Sequence, residues 1–248
     1  FICFLFSFIL FNLIFDFRKE SHKKMIIIKN LSKSYKTNSK ENIIFDNISL
    51  SIKDYQRIAL LGGSGSGKST LLNLITGEDN GDKGYVFSNK SISWPIGSKK
   101  AFHPLMTVIE NIMFISRLYL GNNQKEINEK INFINEFSNI GNSLNTQFLR
   151  LPNDFKTKIA LGLSMAFEFD FYVIDGISYG DDQNFREKTK NFLRNKLKNK
   201  SFIMIDKNLK NLEEKCNSAF VINNKKISIF KEVSEGIIFY KKIFSIKN

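Results

Sequence analysis

Apolar residues along this chain fall into short continuous runs that alternate with longer amphipathic stretches. The runs at 25–29 and 43–52 have the composition of strands, and the second alternates apolar and polar residues as a half-buried strand does. Further strand patterns lie at 84–88, 91–94, 171–175, 202–205, 219–222 and 227–230. Helical patterns lie at 124–139, 155–169, 184–199 and 233–244. This alternation indicates an α/β fold with a mainly parallel sheet and helices on both faces.

Two pairs of these strands are close enough in sequence to form hairpins. Residues 84–88 with 91–94 predict one short hairpin, and 219–222 with 227–230 predict a second one that closes the domain. Tyr35 is expected in the polar stretch between the first two strands.

The first 24 residues differ in character from the rest. Residues 1–17 are almost wholly apolar apart from Asn12 and Asp16, and basic residues follow. This segment is short for a spanning helix, and a membrane anchor, a signal-like segment and the tail of an upstream reading frame all stay open. Since Met25 opens a strand-like run, we expect a natural start there, with residues 1–24 outside the folded domain.

The net charge of +13 raises the question of a nucleic-acid partner, which the distribution of charge argues against. Only six of the 37 basic residues are Arg, and the Lys excess runs evenly along the chain. A nucleic-acid surface more often clusters Arg beside exposed aromatic side chains. We therefore expect a solvated basic surface and no nucleic-acid partner.

The few cysteines and histidines indicate neither a disulfide framework nor a zinc site. Cys3 and Cys216 are far apart in sequence, and His22 and His103 lack the spacing of zinc ligands. Any metal should be the Mg²⁺ that accompanies a nucleotide.

The strongest motif is a glycine-rich phosphate-binding loop, or P-loop, between an apolar strand and an apolar helix. Its nine residues are Gly62, Gly63, Ser64, Gly65, Ser66, Gly67, Lys68, Ser69 and Thr70. Small residues let backbone N–H groups surround phosphate oxygens, and the helix N-terminus favours an anion. Lys68 is predicted to reach the β and γ phosphates, and the Ser69 hydroxyl to bind Mg²⁺.

A second element of a nucleotide site follows the apolar run 171–174. Asp175 ends this strand, as the Walker B carboxylate of a P-loop protein does. Alone, such an Asp is an ordinary turn residue. Beside a P-loop it is predicted to hold Mg²⁺ together with Ser69.

From residue 25 onward the chain resembles the ATP-binding subunit of an ABC transporter, especially those of capsular-polysaccharide exporters. The resemblance rests on N-L-S-K-S-Y at 30–35, I-S-W-P-I-G at 92–97, the block at 110–119 and G-L-S-M-A-F at 162–167. It implies a P-loop NTPase fold with a mainly parallel sheet, an antiparallel β subdomain and an inserted helical subdomain. The domain would span 25–248, with the helical subdomain at about 95–170.

The resemblance also implies a site and partners. Tyr35 would stack on the adenine of ATP, a use that suits an aromatic face. The helical subdomain would meet a polytopic membrane permease, and ATP binding would draw two ATP-binding subunits into a dimer. The cargo would be a lipid-linked capsular polysaccharide, and the subunit would lie peripherally on the cytoplasmic face of the inner membrane.

Four positions depart from the family's pattern for hydrolysis. His103 stands where the family has a Gln, Gly176 where it has the catalytic Glu, and Lys207 where it has the switch His. The signature motif aligns with Pro152, Asn153, Asp154 and Phe155. Loss of a positioned base costs on the order of a hundred to ten thousand fold in rate. We therefore expect slow hydrolysis with ATP·Mg²⁺ binding retained.

These departures leave more than one function open. The chain is either an energising subunit for export or a nucleotide-binding pseudo-ATPase that assembles with the permease or regulates it. A decaying gene under relaxed selection is a third reading. A GTPase fits less well, because no Asn-Lys-x-Asp sequence occurs, and a small-molecule kinase would not need the blocks at 92–119 and 162–167.

Overall fold

The computed structural model describes residues 25–37 and 40–244. The predictions made for residues 1–24, which include Cys3 and His22, lie outside the described residues. The chain divides into two compact units. The first contains the described residues up to Ile92, residues 170–176 and those from Lys200 onward, and the second contains residues 93–169 and 177–199.

Nine strands and seven α-helices form the described part of the chain. The strands are β1 (Ile26–Thr37), β2 (Lys40–Ile52), β3 (Arg57–Gly62), β4 (Lys83–Ser88), β5 (Ile92–Pro95), β6 (Phe171–Asp175), β7 (Ser201–Ile205), β8 (Ser218–Asn223) and β9 (Lys226–Phe230). The helices are α1 (Lys68–Thr76), α2 (Val108–Leu120), α3 (Gln124–Ser138), α4 (Asn153–Ala166), α5 (Gln183–Leu197), α6 (Leu209–Lys215) and α7 (Val233–Ile243).

A six-stranded, mainly parallel sheet has the order β5-β6-β7-β3-β8-β9. Strand β3 lies between β7 and β8 and pairs with both in parallel. Its residues after Arg57 are buried, and the apolar run of β6 is buried as well, as expected for parallel strands covered on both faces. Parallel strands end at one edge, so Gly62 and Asp175 lie on the same edge of this sheet.

The predicted hairpin of 219–222 with 227–230 is confirmed: β8 and β9 pair antiparallel, with Phe220 opposite Ile229. The predicted hairpin of 84–88 with 91–94 is wrong. Strand β4 pairs instead with β1, where Ile28 lies opposite Val86, and β5 belongs to the other sheet. The two segments are close in sequence, which suggested the hairpin. Strand β4 pairs with the more distant β1 instead, because Val86 then packs against the core that contains Ile28.

The antiparallel sheet has the order β2-β1-β4. Strand β1 continues to Thr37, so Tyr35 lies on a strand rather than in the polar connection that the sequence predicted. The pairing of β1 with β2 contains three irregularities, which fall between Ile28 and Ser34. Such bulges change the side-chain alternation and hide the strand period from the sequence.

The sequence patterns did not predict two of the helices, α2 and α6. Helix α2 begins with a capping box, in which Thr107 Oγ1 accepts from the Glu110 N–H and the Glu110 carboxylate accepts from the Thr107 N–H. That Thr-x-x-Glu signal is present in the sequence. Helix α6 has only seven residues and one buried side chain, Leu212, which is too little for a helical period.

The second unit is organised around buried aromatic rings. Trp94 makes edge contacts with Phe167 and Phe169, with ring centroids 5.8 and 5.2 Å apart. Trp94 Nε1 donates to Ser164 Oγ at 3.1 Å, which satisfies the indole N–H inside this cluster. The blocks at 92–97 and 162–167 are therefore packing partners within the fold.

Candidate functional site

The P-loop connects the end of β3 to the start of α1. Gly67 precedes α1 with φ 103°, in the left-handed region. A Cβ on this residue would lie 2.5 Å from Ile44 Cγ2 and 3.1 Å from Phe45 Cζ. Both the backbone angle and the space therefore require glycine at this position, where the first turn of the helix opens.

The Lys68 side chain folds back over the first residues of the P-loop. Its Nζ donates to Gly62 O and to Gly63 O, each at 2.8 Å. Burial lowers the pKa of Lys68, and the negative charge of Asp175 partly opposes that shift. The ammonium is thus held at the loop by backbone carbonyls, and its charge interacts with that of the Asp175 carboxylate.

The remaining loop residues have the polarity that a phosphate would need. Ser66 Oγ is buried with no hydrogen-bond partner in the described part of the chain. The Ser69 side chain, at the second position of α1, is exposed. A hydroxyl, an ammonium and a strand-end carboxylate suit a triphosphate with Mg²⁺, which usually takes one or two protein oxygens together with phosphate oxygens.

Tyr35 lies beside α1 in the first unit. Its hydroxyl donates to Asp79 Oδ2 at 2.6 Å and also interacts with the Thr70 side chain, at the start of α1. The residue is 39% exposed. Of the predicted site residues, the first unit thus brings together Tyr35, the P-loop and Asp175.

Two of the four altered positions lie at the same sheet edge. Gly176 follows Asp175 with φ 57°, and nothing lies within 4 Å of a Cβ built on it. Lys207 is exposed, two residues beyond β7. Asp206, directly before Lys207, accepts hydrogen bonds from the Asn208 N–H and from Asn211 Nδ2. Its carboxylate oxygens therefore both bond to residues at the start of α6.

The other two altered positions belong to the second unit. The His103 N–H donates to Asn111 Oδ1 at 2.6 Å, and Asn111 Nδ2 donates back to the His103 carbonyl at 3.1 Å. Asn111 also donates to the Met106 and Thr107 carbonyls. This completely buried Asn therefore fixes the loop that precedes α2.

The residues in the signature position form the start of α4. Pro152 precedes the helix and provides no side-chain cap. The Asp154 carboxylate lies 3.2 Å from Lys158 Nζ and accepts from the Asp181 N–H. Lys99 Nζ donates to Asn153 Oδ1 at 2.7 Å. The negative charge that Asp154 introduces is thus paired within its own unit.

Several residues around the site were not found from the sequence. Asp79 lies 44 residues along the chain from Tyr35, and Phe244 lies far from the P-loop motif in sequence. Lys33 had a usable signal, because it stands two residues before Tyr35 on the same strand, and its Nζ contacts the Tyr35 ring. The signal was hidden because this stretch was predicted as a polar connection.

The comparisons with known proteins identify the family. Residues 45–202 match the family model described as ABC transporter. The chain therefore belongs to the ABC transporter family, as an ATP-binding domain.

Its relatives include ATP-binding proteins named for polysialic acid transport and for capsule polysaccharide export. The chain is 37% identical over 218 residues to the polysialic acid transport ATP-binding protein KpsT of Escherichia coli, covering 88% of this chain and 96% of that protein. It is 31% identical over 219 residues to the capsule polysaccharide export ATP-binding protein CtrD of Neisseria meningitidis, covering 88% of this chain and 100% of that protein.

A solved structure shows the same fold. The ATP-binding cassette MJ0796, in a dimeric post-hydrolysis state bound to ADP and Pi, superposes with a TM-score of 0.67 at 18% identity, covering 84% of this chain and 98% of that one. The predicted ABC cassette fold, with its parallel sheet, antiparallel sheet and helices, is thereby confirmed.

Proposed function

We propose that this chain is the ATP-binding subunit of an ABC transporter that exports capsular polysaccharide. The observation that carries the proposal is the match to a polysialic acid transport protein over 88% of this chain and 96% of the relative. The relatives described above are named for transport or export, and none of those names favours a pseudo-ATPase.

ATP binding is supported by the geometry of the first unit. Backbone N–H groups of residues 63–67 and the Lys68 ammonium would hold the phosphates, and Tyr35 would stack on the adenine. Ser69 and Asp175 are the residues that would hold Mg²⁺. The cation would supply positive charge that polarises the phosphoryl oxygens.

Hydrolysis by this chain is expected to be slow. Gly176 has no side chain to polarise a water, and the two oxygens of Asp206 accept hydrogen bonds from Asn208 and Asn211. Lys207 would contribute a positive charge near the γ-phosphate instead of an imidazole. Turnover would then depend on the electrostatics of Lys68, Lys207 and Mg²⁺ more than on a general base.

The second unit offers a surface for the permease. A cavity of about 380 Å³ is lined by Leu105, Met106, Glu110, Met113, Phe114 and Arg117. Leu105 is 63% exposed, so an apolar side chain lies beside Glu110 and Arg117 at the surface. Apolar side chains beside both signs of charge suit a short amphipathic helix from a cytoplasmic loop of the permease.

We further propose how the subunit is organised. No helix in the stretches 25–37 and 40–244 has the length and apolar content to span a bilayer. We place the subunit at the cytoplasmic face of the inner membrane, held by its permease, with ATP drawing two copies into a homodimer. The ATP-binding domain would comprise 25–248, with the helical subdomain at about 95–170.

The proposal is tested with the subunit and its permease co-assembled in vesicles that contain lipid-linked capsular polysaccharide. Phosphate release and export should both depend on ATP and both disappear in Lys68→Ala. The matched control is Lys226→Ala, an exposed Lys on β9. Export that continues in Lys68→Ala would contradict the proposal.

A further inference from the structure

A partly buried ion pair lies beside the ring that is proposed to take the adenine. Lys33 Nζ donates to Asp79 Oδ1 at 2.7 Å and to the Asn80 carbonyl at 2.9 Å. The other Asp79 oxygen accepts from the Tyr35 hydroxyl at 2.6 Å. One carboxylate therefore joins the lysine and the tyrosine of β1.

The lysine also contacts the ring itself. Lys33 Nζ lies 4.9 Å from the centroid of the Tyr35 ring. The Lys33 side chain is only 10% exposed, whereas Tyr35 is 39% exposed. A cation over a ring uses one of its faces, so the exposed part of Tyr35 is left for a ligand.

Asp79 is tied to the helix that begins at the P-loop. Its N–H donates to the Asn73 carbonyl of α1 at 3.1 Å, and it stands two residues after Gly77, where α1 ends. Thr70, in the first turn of α1, interacts with the same tyrosine hydroxyl. The Tyr35 hydroxyl thus contacts residues at both ends of α1, whose N-terminus would face the phosphates.

The charge state of Asp79 suits this role. Burial by itself would raise its pKa, but hydrogen bonds from Lys33, Tyr35 and the Asn80 N–H outweigh burial, and the pKa of Asp79 lies below its usual range. Asp79 is therefore a carboxylate at neutral pH, able to accept from both partners at once.

We propose that Asp79 is a positioning residue for nucleotide recognition, which holds Tyr35 and Lys33 so that the tyrosine ring is ready to stack on adenine. The proposal rests on the proposed ATP site and assigns Asp79 a part in it. A ring fixed before binding loses little freedom when the base arrives, so the ordering cost of binding is small. The phosphates are held separately by the P-loop.

The experiment compares two ligands by calorimetry: ATP with Mg²⁺, and inorganic tripolyphosphate with Mg²⁺, which has no base. In Tyr35→Ala the affinity for ATP should fall by about tenfold, as expected for loss of a base stack. Asp79→Ala and Tyr35→Phe should each lower it by about threefold to tenfold, because both break the hydroxyl–carboxylate bond. Tripolyphosphate affinity should stay within about twofold of the unmodified protein in all three.

The matched control is Asp46→Ala, an exposed aspartate on β2 of the same sheet, which should bind both ligands as the unmodified protein does. Asp79→Asn, which keeps an oxygen acceptor for Tyr35, should recover part of the affinity. Tyr35→Phe keeps the test decisive if Asp79→Ala does not fold.

The outcomes separate this inference from the proposed function. If Tyr35→Ala binds ATP normally, the proposed adenine contact is wrong. If Tyr35→Ala weakens ATP binding while Asp79→Ala and Tyr35→Phe do not, only the positioning role is overturned. An equal loss for ATP and tripolyphosphate in Asp79→Ala would also overturn it, because Asp79 would then act on the phosphate loop.

Discussion

The aromatic ring of Phe244 occupies the space into which a side chain on Gly63 would project. A Cβ built on Gly63 would lie 2.8 Å from Phe244 Cε1 and 3.4 Å from Cδ1. Phe244 follows α7, where its N–H donates to the Tyr240 carbonyl at 3.1 Å. The Phe244 ring therefore packs against Gly63 at the start of the P-loop, and a side chain on Gly63 would require the ring to shift.

A size exchange tests this contact. Gly63→Ala should lower the free energy of unfolding by about 1–3 kcal/mol, because it overpacks the ring of Phe244. In a Phe244→Ala background the same change should cost little, since the space is then open. Urea unfolding of the unmodified protein, the two single variants and the double variant should give a coupling energy of about 1 kcal/mol or more. Strictly additive effects would show that the two residues do not meet in solution.

Gly176 offers a test of slow hydrolysis. Its position after Asp175 has room for a side chain, although φ 57° makes any substitution somewhat strained. Gly176→Glu should raise the rate of phosphate release by about tenfold or more, because it restores a carboxylate where a base is missing.

Gly176→Gln is the control for that experiment, since Gln has the size and backbone strain of Glu without its negative charge. It should release phosphate as slowly as the unmodified protein does. Equal rates for the Glu and Gln variants would mean that the missing base does not limit turnover.

ATP affinity should depend on pH through Lys68. Burial holds the pKa of its ammonium below the ordinary value. A bound triphosphate favours the charged form and raises that pKa, so binding at alkaline pH requires proton uptake. Affinity is therefore greatest below the pKa of Lys68 in the free protein and falls as pH rises through it.

Calorimetry from about pH 7 to about pH 10 checks this, and affinity should fall by no more than about tenfold per pH unit. The Tyr35→Phe variant should show the same dependence, since it lacks the tyrosine hydroxyl as an alternative titrating group. A flat profile would contradict the account of Lys68.

Ser164 supports the aromatic cluster of the second unit. Its Oγ accepts from Trp94 Nε1 at 3.1 Å and from the Gly97 N–H at 3.0 Å. Ser164→Ala should lower the free energy of unfolding by about 2 kcal/mol or more, because it leaves these N–H groups without an acceptor. The fluorescence of Trp94, the single tryptophan, reports the transition. Exposed Ser234→Ala should change stability by less than about 0.5 kcal/mol, and an equally small effect in Ser164→Ala would refute the role.

The elements that the sequence predicted correctly are those with a strong local signal. The P-loop is recognisable from its glycines and the flanking apolar runs. Strand β6 ends at Asp175, directly after its apolar run, as the sequence predicted. The prediction of a hairpin between 84–88 and 91–94 was wrong because a local pattern carries no information about the pairing of Val86 with Ile28. Pairing between residues far apart in sequence determined which sheet contains β4.

The surroundings of the site were equally hard to predict. Nothing local connects Asp79 to Tyr35 or Phe244 to Gly63, because these pairs meet only when distant segments pack. The bulges in β1 concealed the strand that carries Lys33 and Tyr35. The P-loop residues could be identified from the sequence. The contacts that hold the P-loop and the Tyr35 ring could be identified only from the folded structure.

Calorimetric titration with ATP and Mg²⁺ of the unmodified protein, Lys68→Ala and Lys226→Ala tests the central claim most directly. The unmodified protein and Lys226→Ala should bind one ATP per chain with equal affinity. Lys68→Ala should bind at least about tenfold more weakly, because it loses a charge-assisted contact to the phosphates. Equal binding by all three proteins, or no binding by the unmodified protein at millimolar ATP, would contradict the account.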